Sequence, residues 1–323
     1  MLGFIKKLFS STPTPSNSGL SQAEIKSHVE LAVEHFDSRL KLIPGYQRKL
    51  APAVEIALVH AKELIEKIPE PLEISKSLYA KDPHVHAYFG SLDQLQHLFS
   101  HSPDFNTFAK LPSNFGVDHG YALMIMSRQQ KSRLGHALKG EMVQGEVMQE
   151  VIYFTSHKLV KPSSTEEGVR FDLRERAFLH LVAEAVAKVA DHAKEKADLE
   201  REKVHLSMQL KTQHAEHGAL DFTDFETTEG STGQRLAKVE QQIAELSRGL
   251  ETINDYMELL IKVLSQPDLY CGLKPITEYV DRMNVISTPE EGTELHYAKI
   301  RIGELNQAAI IVSYPFAEME SAF

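Results

Sequence analysis

One apolar stripe, in residues 236–264, constrains the fold more than any other feature of the chain. Apolar residues recur there at alternating steps of three and four, at nine successive positions: Leu236, Val239, Ile243, Leu246, Leu250, Ile253, Met257, Leu260 and Leu264. Nine positions cover about four heptads, which is typical of a coiled coil. Because the stripe is narrow, it needs a second helix as its partner. We call these nine residues the 236–264 seam.

The preceding segment predicts that partner. A long helix is expected from a capping box at Ser164 and Glu167 to about His214. Its own stripe runs from Phe178 to Gln213 and is weaker, because four of its eleven positions are polar: His192, Lys196, Lys203 and Gln213. An acidic loop, 218–233, then leads to a second helix, 234–265. Two long helices joined by one loop predict an antiparallel coiled-coil hairpin.

The two stripes differ in a way that bears on partners. The 236–264 seam has no polar position, whereas the stripe of the first helix has four. Polar residues in a coiled-coil stripe fix register at some cost in stability. The alternative is that this part of the first helix is exposed to solvent and only its ends pack. The mismatch indicates that the seam also binds another chain, either a second copy of this protein or another helical protein, so a homo-oligomer is expected.

Strand-like sequence lies on both sides of the hairpin. Before it we predict a three-stranded antiparallel meander: Tyr121–Gln129, Arg133–Val143 and Val147–Val160. After it we predict three more strands: Ile276–Ile286, Glu294–Ile302 and Ala308–Ser313. Since a sheet of two or three strands is marginal alone, the two groups are expected to merge into one sheet with the hairpin inserted between them.

The sequence pattern of residues 21–115 predicts helices. A helix starts with a capping box at Ser21 and Glu24 and ends at Pro44-Gly45. A second helix is expected over 46–68 and a short one over 91–100. The fold class is therefore α+β, with five segments: 1–20, an amphipathic tail and flexible linker; 21–115, a helical module; 116–162, the first half of the β domain; 163–266, the hairpin; and 267–323, the second half of the β domain.

Charge and cysteine content exclude some classes of function. The net charge is −10, and the longest Lys/Arg cluster is Lys6-Lys7. Binding of nucleic acid needs a concentrated basic face, so nucleic acid is not expected as a partner. The one cysteine, Cys271, can form neither an intrachain disulfide nor a multi-cysteine zinc site. A buried, apolar role for Cys271 in a reducing cytoplasm is expected.

The sequence of residues 1–9 predicts a second contact surface, for a membrane. Two aromatic residues, two aliphatic residues and two lysines are close together there: Phe4, Ile5, Lys6, Lys7, Leu8 and Phe9. Such a segment can lie in a membrane interface, where the apolar side chains are buried and the lysines meet anionic lipid. The alternatives are a frayed tail, or a short helix that docks on the body or on a partner.

Histidine spacing gives one candidate metal site. Asp93, His97 and His101 are four residues apart, a spacing that can bring two imidazoles and a carboxylate to one ion. His84 and His86 lie just upstream. The competing interpretation is a solvated helix face, since the leucines of this segment fall on the opposite side.

Catalytic patterns are missing from the sequence. It contains no His-Glu-x-x-His and no Gly-x-Ser-x-Gly, and residues 230–233 lack the Gly-Lys-Ser/Thr ending of a phosphate loop. We therefore expect a non-enzymatic scaffold or adaptor without a cofactor, which associates through the hairpin and is attached to the inner membrane surface through residues 1–9. The alternative is a metal-binding enzyme or sensor that uses residues 84–101.

Overall fold

A computed structural model describes residues 19–111, 114, 117–139, 142–217, 225–302 and 305–316. Within these ranges the chain forms nine α-helices and six strands, which confirms the α+β class. The helices are α1 Gln22–Phe36, α2 Tyr46–Glu66, α3 Lys76–Tyr79, α4 Pro83–Tyr88, α5 Leu92–Ser100, α6 Pro103–Ala109, α7 Glu166–His217, α8 Phe225–Ser247 and α9 Ile253–Leu264. The strands are β1 Leu72–Glu73, β2 His119–Lys139, β3 Met142–Ser163, β4 Cys271–Val280, β5 Thr293–Ile302 and β6 Leu305–Pro315.

The chain divides into two compact units, which we describe separately. The helical unit comprises residues 1–57 and 179–267, and the sheet unit comprises residues 58–178 and 268–323. Two of the three divisions fall inside α2 and inside α7, and the third falls between Pro267 and Asp268.

In the helical unit, α1 begins where the sequence predicts and ends earlier. The hydroxyl oxygen of Ser21 accepts a hydrogen bond from the backbone N–H of Glu24 at 3.1 Å. The predicted continuation of this helix to Ile43 is wrong. Asp37 has an extended backbone (φ −162°), and its carboxylate accepts from the N–H of Arg39 at 2.9 Å. That contact ends α1 and starts a separate 3-10 helix, Ser38–Leu42.

The antiparallel hairpin is formed by α7, which has 52 residues, and α8. Two contacts between the helices give its direction. The Nε2–H of His192 on α7 donates to the backbone carbonyl of Leu246 on α8 at 2.9 Å, and Lys203, further along α7, lies 2.9 Å from Glu240, which comes earlier on α8. Later residues of α7 thus face earlier residues of α8. A second ion pair, between Glu202 and Arg235 at 3.6 Å, lies in the same region. α7 begins one residue later than expected, because Thr165 caps it by accepting from the N–H of Gly168 at 3.1 Å.

The predicted single helix over 234–265 is wrong, because the chain turns at residues 248–252. Thr252 starts α9 with a capping box, in which its hydroxyl accepts from the N–H of Asp255 and the Asp255 carboxylate accepts from the N–H of Thr252. The expected loop over 218–233 is also too long, since α8 starts at Phe225. Residues 218–224 lie outside the described ranges.

The sheet unit is built on one sheet with the strand order β3-β2-β6-β5-β4. These five strands pair in antiparallel fashion, and β1 pairs with β6 in parallel. The pairing of β2 with β6, from His119 opposite Pro315 to Met126 opposite Ala308, joins the two sequence pieces. The prediction of one sheet made from two distant pieces is confirmed.

The first piece contains two long strands, and the predicted three-stranded meander is wrong. Residues 130–132, which resemble a turn in composition, pair with residues 150–152 in the middle of the β2–β3 ladder. The register shifts at three places along this ladder. Beside each shift one residue of β3 has a positive φ: Glu146, Ser156 and Lys161. Such bulges absorb extra residues and increase the local twist.

The second piece also departs from expectation, since β4 ends at Val280 and not at Ile286. The carboxylate of Asp281 accepts from the N–H groups of Met283 and Val285, which turns the chain. Residues 284–286 then pair with β3, which is the strand at the opposite edge of the sheet. The N–H of Ile152 donates to the carbonyl of Asn284 at 2.9 Å, and the N–H of Ile286 donates to that of Glu150 at 2.8 Å. The two edge strands are thereby bridged.

Apolar residues cover both faces of the sheet. On one face the short helices α4–α6 bury an aromatic cluster: Tyr88, Phe89, Phe99, Phe105 and Tyr314. On the other face Ile65, Val169 and Leu173 pack against Leu123 and Ile311.

Candidate interaction surface

The 236–264 seam is largely used inside the chain. Four of its nine residues are buried, namely Val239, Met257, Leu260 and Leu264, and the other five are half-buried. On α7 the matching stripe buries Val182, Ala185 and Leu206. The buried members of the seam are therefore closed to a second chain while the hairpin is intact.

Two of the polar residues in the α7 stripe, His192 and Lys203, have partners on α8. The Nε2–H of His192 donates to the backbone carbonyl of Leu246 at 2.9 Å, in the last turn of α8. Lys203 forms the ion pair with Glu240 at 2.9 Å. The carbonyl of Leu246 also accepts from the backbone N–H of Gly249 at 3.0 Å, so His192 is a second donor to a group at the C-terminal end of α8. These contacts fix the register of the hairpin, which is one of the roles that polar stripe residues serve.

A second stripe lies on α7 and does not face into the hairpin. Its seven residues are all exposed: Val186, Ala190, Ala193, Ala197, Arg201, Val204 and Met208. Val204 is 54% and Met208 62% exposed. We call these residues the outward stripe. They belong to one helix within the helical unit, and they extend over about 33 Å at a rise of 1.5 Å per residue.

Sequence reasoning missed the outward stripe. Successive members are spaced by 4, 3, 4, 4, 3 and 4 residues, so all seven fall within about 80° of the helix circumference. The spacing can be read from the sequence, but three of the seven residues are alanine and one is arginine, so the stripe does not look apolar. Alanine is common in helices for its propensity alone, which hides a contact face made of it.

The proposed metal ligands lie on short helices of the sheet unit and are not brought together. Asp93, His97 and His101 are exposed on or beside α5, and the imidazoles of His97 and His101 stack with centroids 3.8 Å apart. His84 contacts the carboxylate of Asp82 at 2.8 Å, and His86 contacts the ring of Tyr79. Within the described ranges, no group of three or more His, Cys, Asp or Glu residues is placed to share a metal ion.

Cys271 has two polar neighbours, but the contacts do not activate it. His60 lies 3.3 Å from the carboxylate of Asp268, and its Nε2–H donates to the backbone carbonyl of Cys271 at 3.1 Å. The imidazole therefore contacts the main chain of this residue. Burial raises the pKa of the Cys271 thiol, which disfavours the thiolate. The arrangement stabilises the start of β4.

The membrane segment, Phe4 to Phe9, lies outside the described residues. Among the helices that the structure does describe, none is both long enough and apolar enough to cross a bilayer. No family model, curated protein or solved structure matches the chain.

Proposed function

We propose that this protein is a non-enzymatic scaffold or adaptor that associates, with itself or with another helical protein, through the hairpin of α7 and α8. The single observation that supports this most is the outward stripe. Isolated exposed apolar residues are ordinary on a protein surface. Seven small or apolar-stemmed residues aligned on one helix face over about 33 Å are the arrangement that a partner helix recognises.

The 236–264 seam has a supporting role in this proposal. The seam packs α8 against α7, which supports one side of α7 and leaves the outward stripe on the other side. A rigid surface loses less conformational entropy on binding than a mobile one. The half-buried seam residues, such as Leu236 and Ile243, extend the contact where a partner reaches α8.

The non-enzymatic part of the proposal rests on the sequence, which contains none of the catalytic patterns considered above. Attachment to the inner membrane surface through residues 1–9 is a second part. It is supported by the two lysines and four apolar side chains between Phe4 and Phe9. The two parts are independent, since the hairpin and the N-terminal segment are separate surfaces.

Site-specific photo-crosslinking in living cells tests the association. A benzophenone side chain is placed at Val204, on the outward stripe, and in a separate chain at Gln241, which is exposed on α8. We expect irradiation to give a defined product heavier than the single chain from position 204 and much less from position 241. Mass spectrometry then identifies the second component. Equal, diffuse labelling from both positions would overturn the proposal.

A further inference from the structure

We propose that the outward stripe binds the outward stripe of a second copy of this chain, with the two α7 helices antiparallel and related by a two-fold axis at Ala197. This inference rests on the proposed function and names the partner. Four features of the described residues carry it: the exposure of the stripe, the symmetry of its spacing, the position of Arg201 and the charges on its two flanks.

The spacing of the stripe is symmetric about Ala197. Read in either direction from Ala197, the next members are 4, 7 and 11 residues away. In an antiparallel pair this places Val186 opposite Met208 of the second copy and Ala190 opposite Val204 of the second copy. Contact of residue i with j and of j with i is what a two-fold interface requires. The 4-3-4 spacing repeats every 11 residues, so the face drifts by only about 20° per repeat and contact can extend over its length with slight right-handed winding.

Side-chain size fits the same arrangement. At the axis Ala197 faces Ala197 of the second copy, and small residues there allow the backbones to approach closely. Moving outward, alanine faces valine, and at both ends valine faces methionine. Large residues thus meet small ones near the centre, and the bulkiest pairs lie at the two ends of the contact.

Arg201 selects the antiparallel direction. A parallel, in-register pair would place Arg201 against Arg201 of the second copy, and two like charges in contact are destabilising. In the antiparallel pair Arg201 lies opposite Ala193 of the second copy. Its guanidinium already contacts Asp198 of its own chain, so its aliphatic stem can cover the alanine while the charge stays paired at the edge.

The charged residues beside the stripe are complementary in this direction. One flank carries the exposed Lys194 and Asp198, and the other carries the exposed Glu200 and, at the border with the α7 stripe, the half-buried Lys196. In an antiparallel pair of helices, each flank faces the equivalent flank of the second copy. Lys194 therefore faces Asp198 of the second copy, and Lys196 faces Glu200 of the second copy. Exposed pairs of this kind add little energy each, but they favour one direction over the other.

Sedimentation of the full chain tests the pairing. We expect the wild-type protein to have twice the 36.3 kDa mass of one chain at tens of micromolar. Ala197→Glu should reduce the mass to that of one chain, because two carboxylates would meet at the axis. Alanine and glutamate have similar helix propensities, so the circular dichroism should not change. The matched control, Ala244→Glu at an exposed position of α8, should keep the wild-type mass.

Crosslinking with a short bis-maleimide tests the direction, in the full chain with Cys271→Ala. Ala197→Cys should crosslink to itself, whereas Val186→Cys and Met208→Cys should each crosslink only when the two variants are mixed. Self-crosslinking of Val186→Cys would show a parallel pair and overturn the inference. A wild-type protein that is monomeric would also overturn it. If position 204 still captured another protein in cells, the proposed function would stand without this partner.

Discussion

Arg128 on β2 donates two hydrogen bonds to Glu278 on β4, at 2.9 and 2.6 Å, although the residues are 150 positions apart in sequence. The hydroxyl of Tyr297 on β5 donates to the same carboxylate at 2.8 Å. Both charged side chains are about three-quarters covered. The cluster therefore links the strand piece before the hairpin to the piece after it.

Breaking this ion pair should destabilise the protein. Arg128→Met removes the guanidinium and leaves Glu278 partly buried with one neutral donor, so we expect the free energy of unfolding to fall by about 1–3 kcal/mol. Urea titration followed by circular dichroism measures the change. Arg282→Met, at an exposed position, is the control. The double variant Arg128→Met with Glu278→Leu should lose less than Arg128→Met alone, and equal stability of Arg128→Met and wild type would contradict this view.

Tyr314 is the opposite case, because removal of its hydroxyl group should not lower the stability of the protein. Its ring packs against Phe99, Phe105 and Phe316, and its hydroxyl is buried without a hydrogen-bond partner among the described residues. Tyr314→Phe should leave the free energy of unfolding unchanged or raise it by up to about 1 kcal/mol. A clear loss of stability in thermal unfolding would show that the hydroxyl has a partner.

Gly120 should not tolerate a side chain. A Cβ atom at this position would lie 2.5 Å from the ring of Tyr314, which is fixed by its aromatic neighbours. We expect Gly120→Ala to lower the free energy of unfolding by about 1–3 kcal/mol, because the ring or the strand must shift. Gly233→Ala, where no atom lies within 4 Å of the added Cβ, is the control. Because Gly233 lies within α8, alanine there should raise the free energy of unfolding by about 0.5–1 kcal/mol. If Gly120→Ala melted at or above the wild-type temperature, the packing around Tyr314 would be looser than described.

His157 should make stability depend on pH. Burial lowers its pKa, and the hydrogen bond from Nε2–H to the carbonyl of Tyr88 only partly opposes this. The unfolded imidazole has a pKa of about 6.5. As the pH falls below about 6.5, the unfolded state binds a proton before the folded state does, so stability is lost.

His157→Gln keeps an N–H donor and cannot titrate. We expect the urea midpoint of the wild-type protein to fall more between pH 7.5 and pH 5.5 than the midpoint of this variant. Titration of the carboxylates is common to both proteins and cancels in the comparison. Identical pH dependence would mean that His157 does not contribute.

If residues 1–9 attach the protein to a membrane, the full chain should bind to anionic vesicles. Since each lysine near a charged surface contributes about 1 kcal/mol, Lys6→Glu with Lys7→Glu should weaken co-sedimentation of the full chain by about tenfold or more. Lys26→Glu with Lys49→Glu changes the same net charge at exposed positions of α1 and α2. It should bind like the wild-type protein. Equal loss in both double variants would indicate a general charge effect and no anchor.

Local chemistry predicted the starts of α1, α2, α5 and α7 to within about one residue, but not the starts of the other helices. Ser21 caps α1 as expected, because a cap depends only on a hydroxyl and an N–H three residues later. Ser91 caps the short helix α5 in the same way. The merger of the two strand groups also followed from the sequence, since neither group is large enough alone. The capping box at Thr252 was readable too, but the apolar spacing of the 236–264 seam continues through it and concealed the break.

Other features were decided by the tertiary structure. Residues 130–132 are polar like a turn, yet they are paired because β3 runs beside them. The role of His192 and Lys203 in the α7 stripe becomes clear only from their contacts with Leu246 and Glu240 on α8. The outward stripe is visible as a spacing, but only the fold decides that α8 covers one side of α7 and leaves Val204 and Met208 exposed. Sequence determines which faces of a helix are apolar, whereas the arrangement of neighbouring elements determines which of those faces is buried.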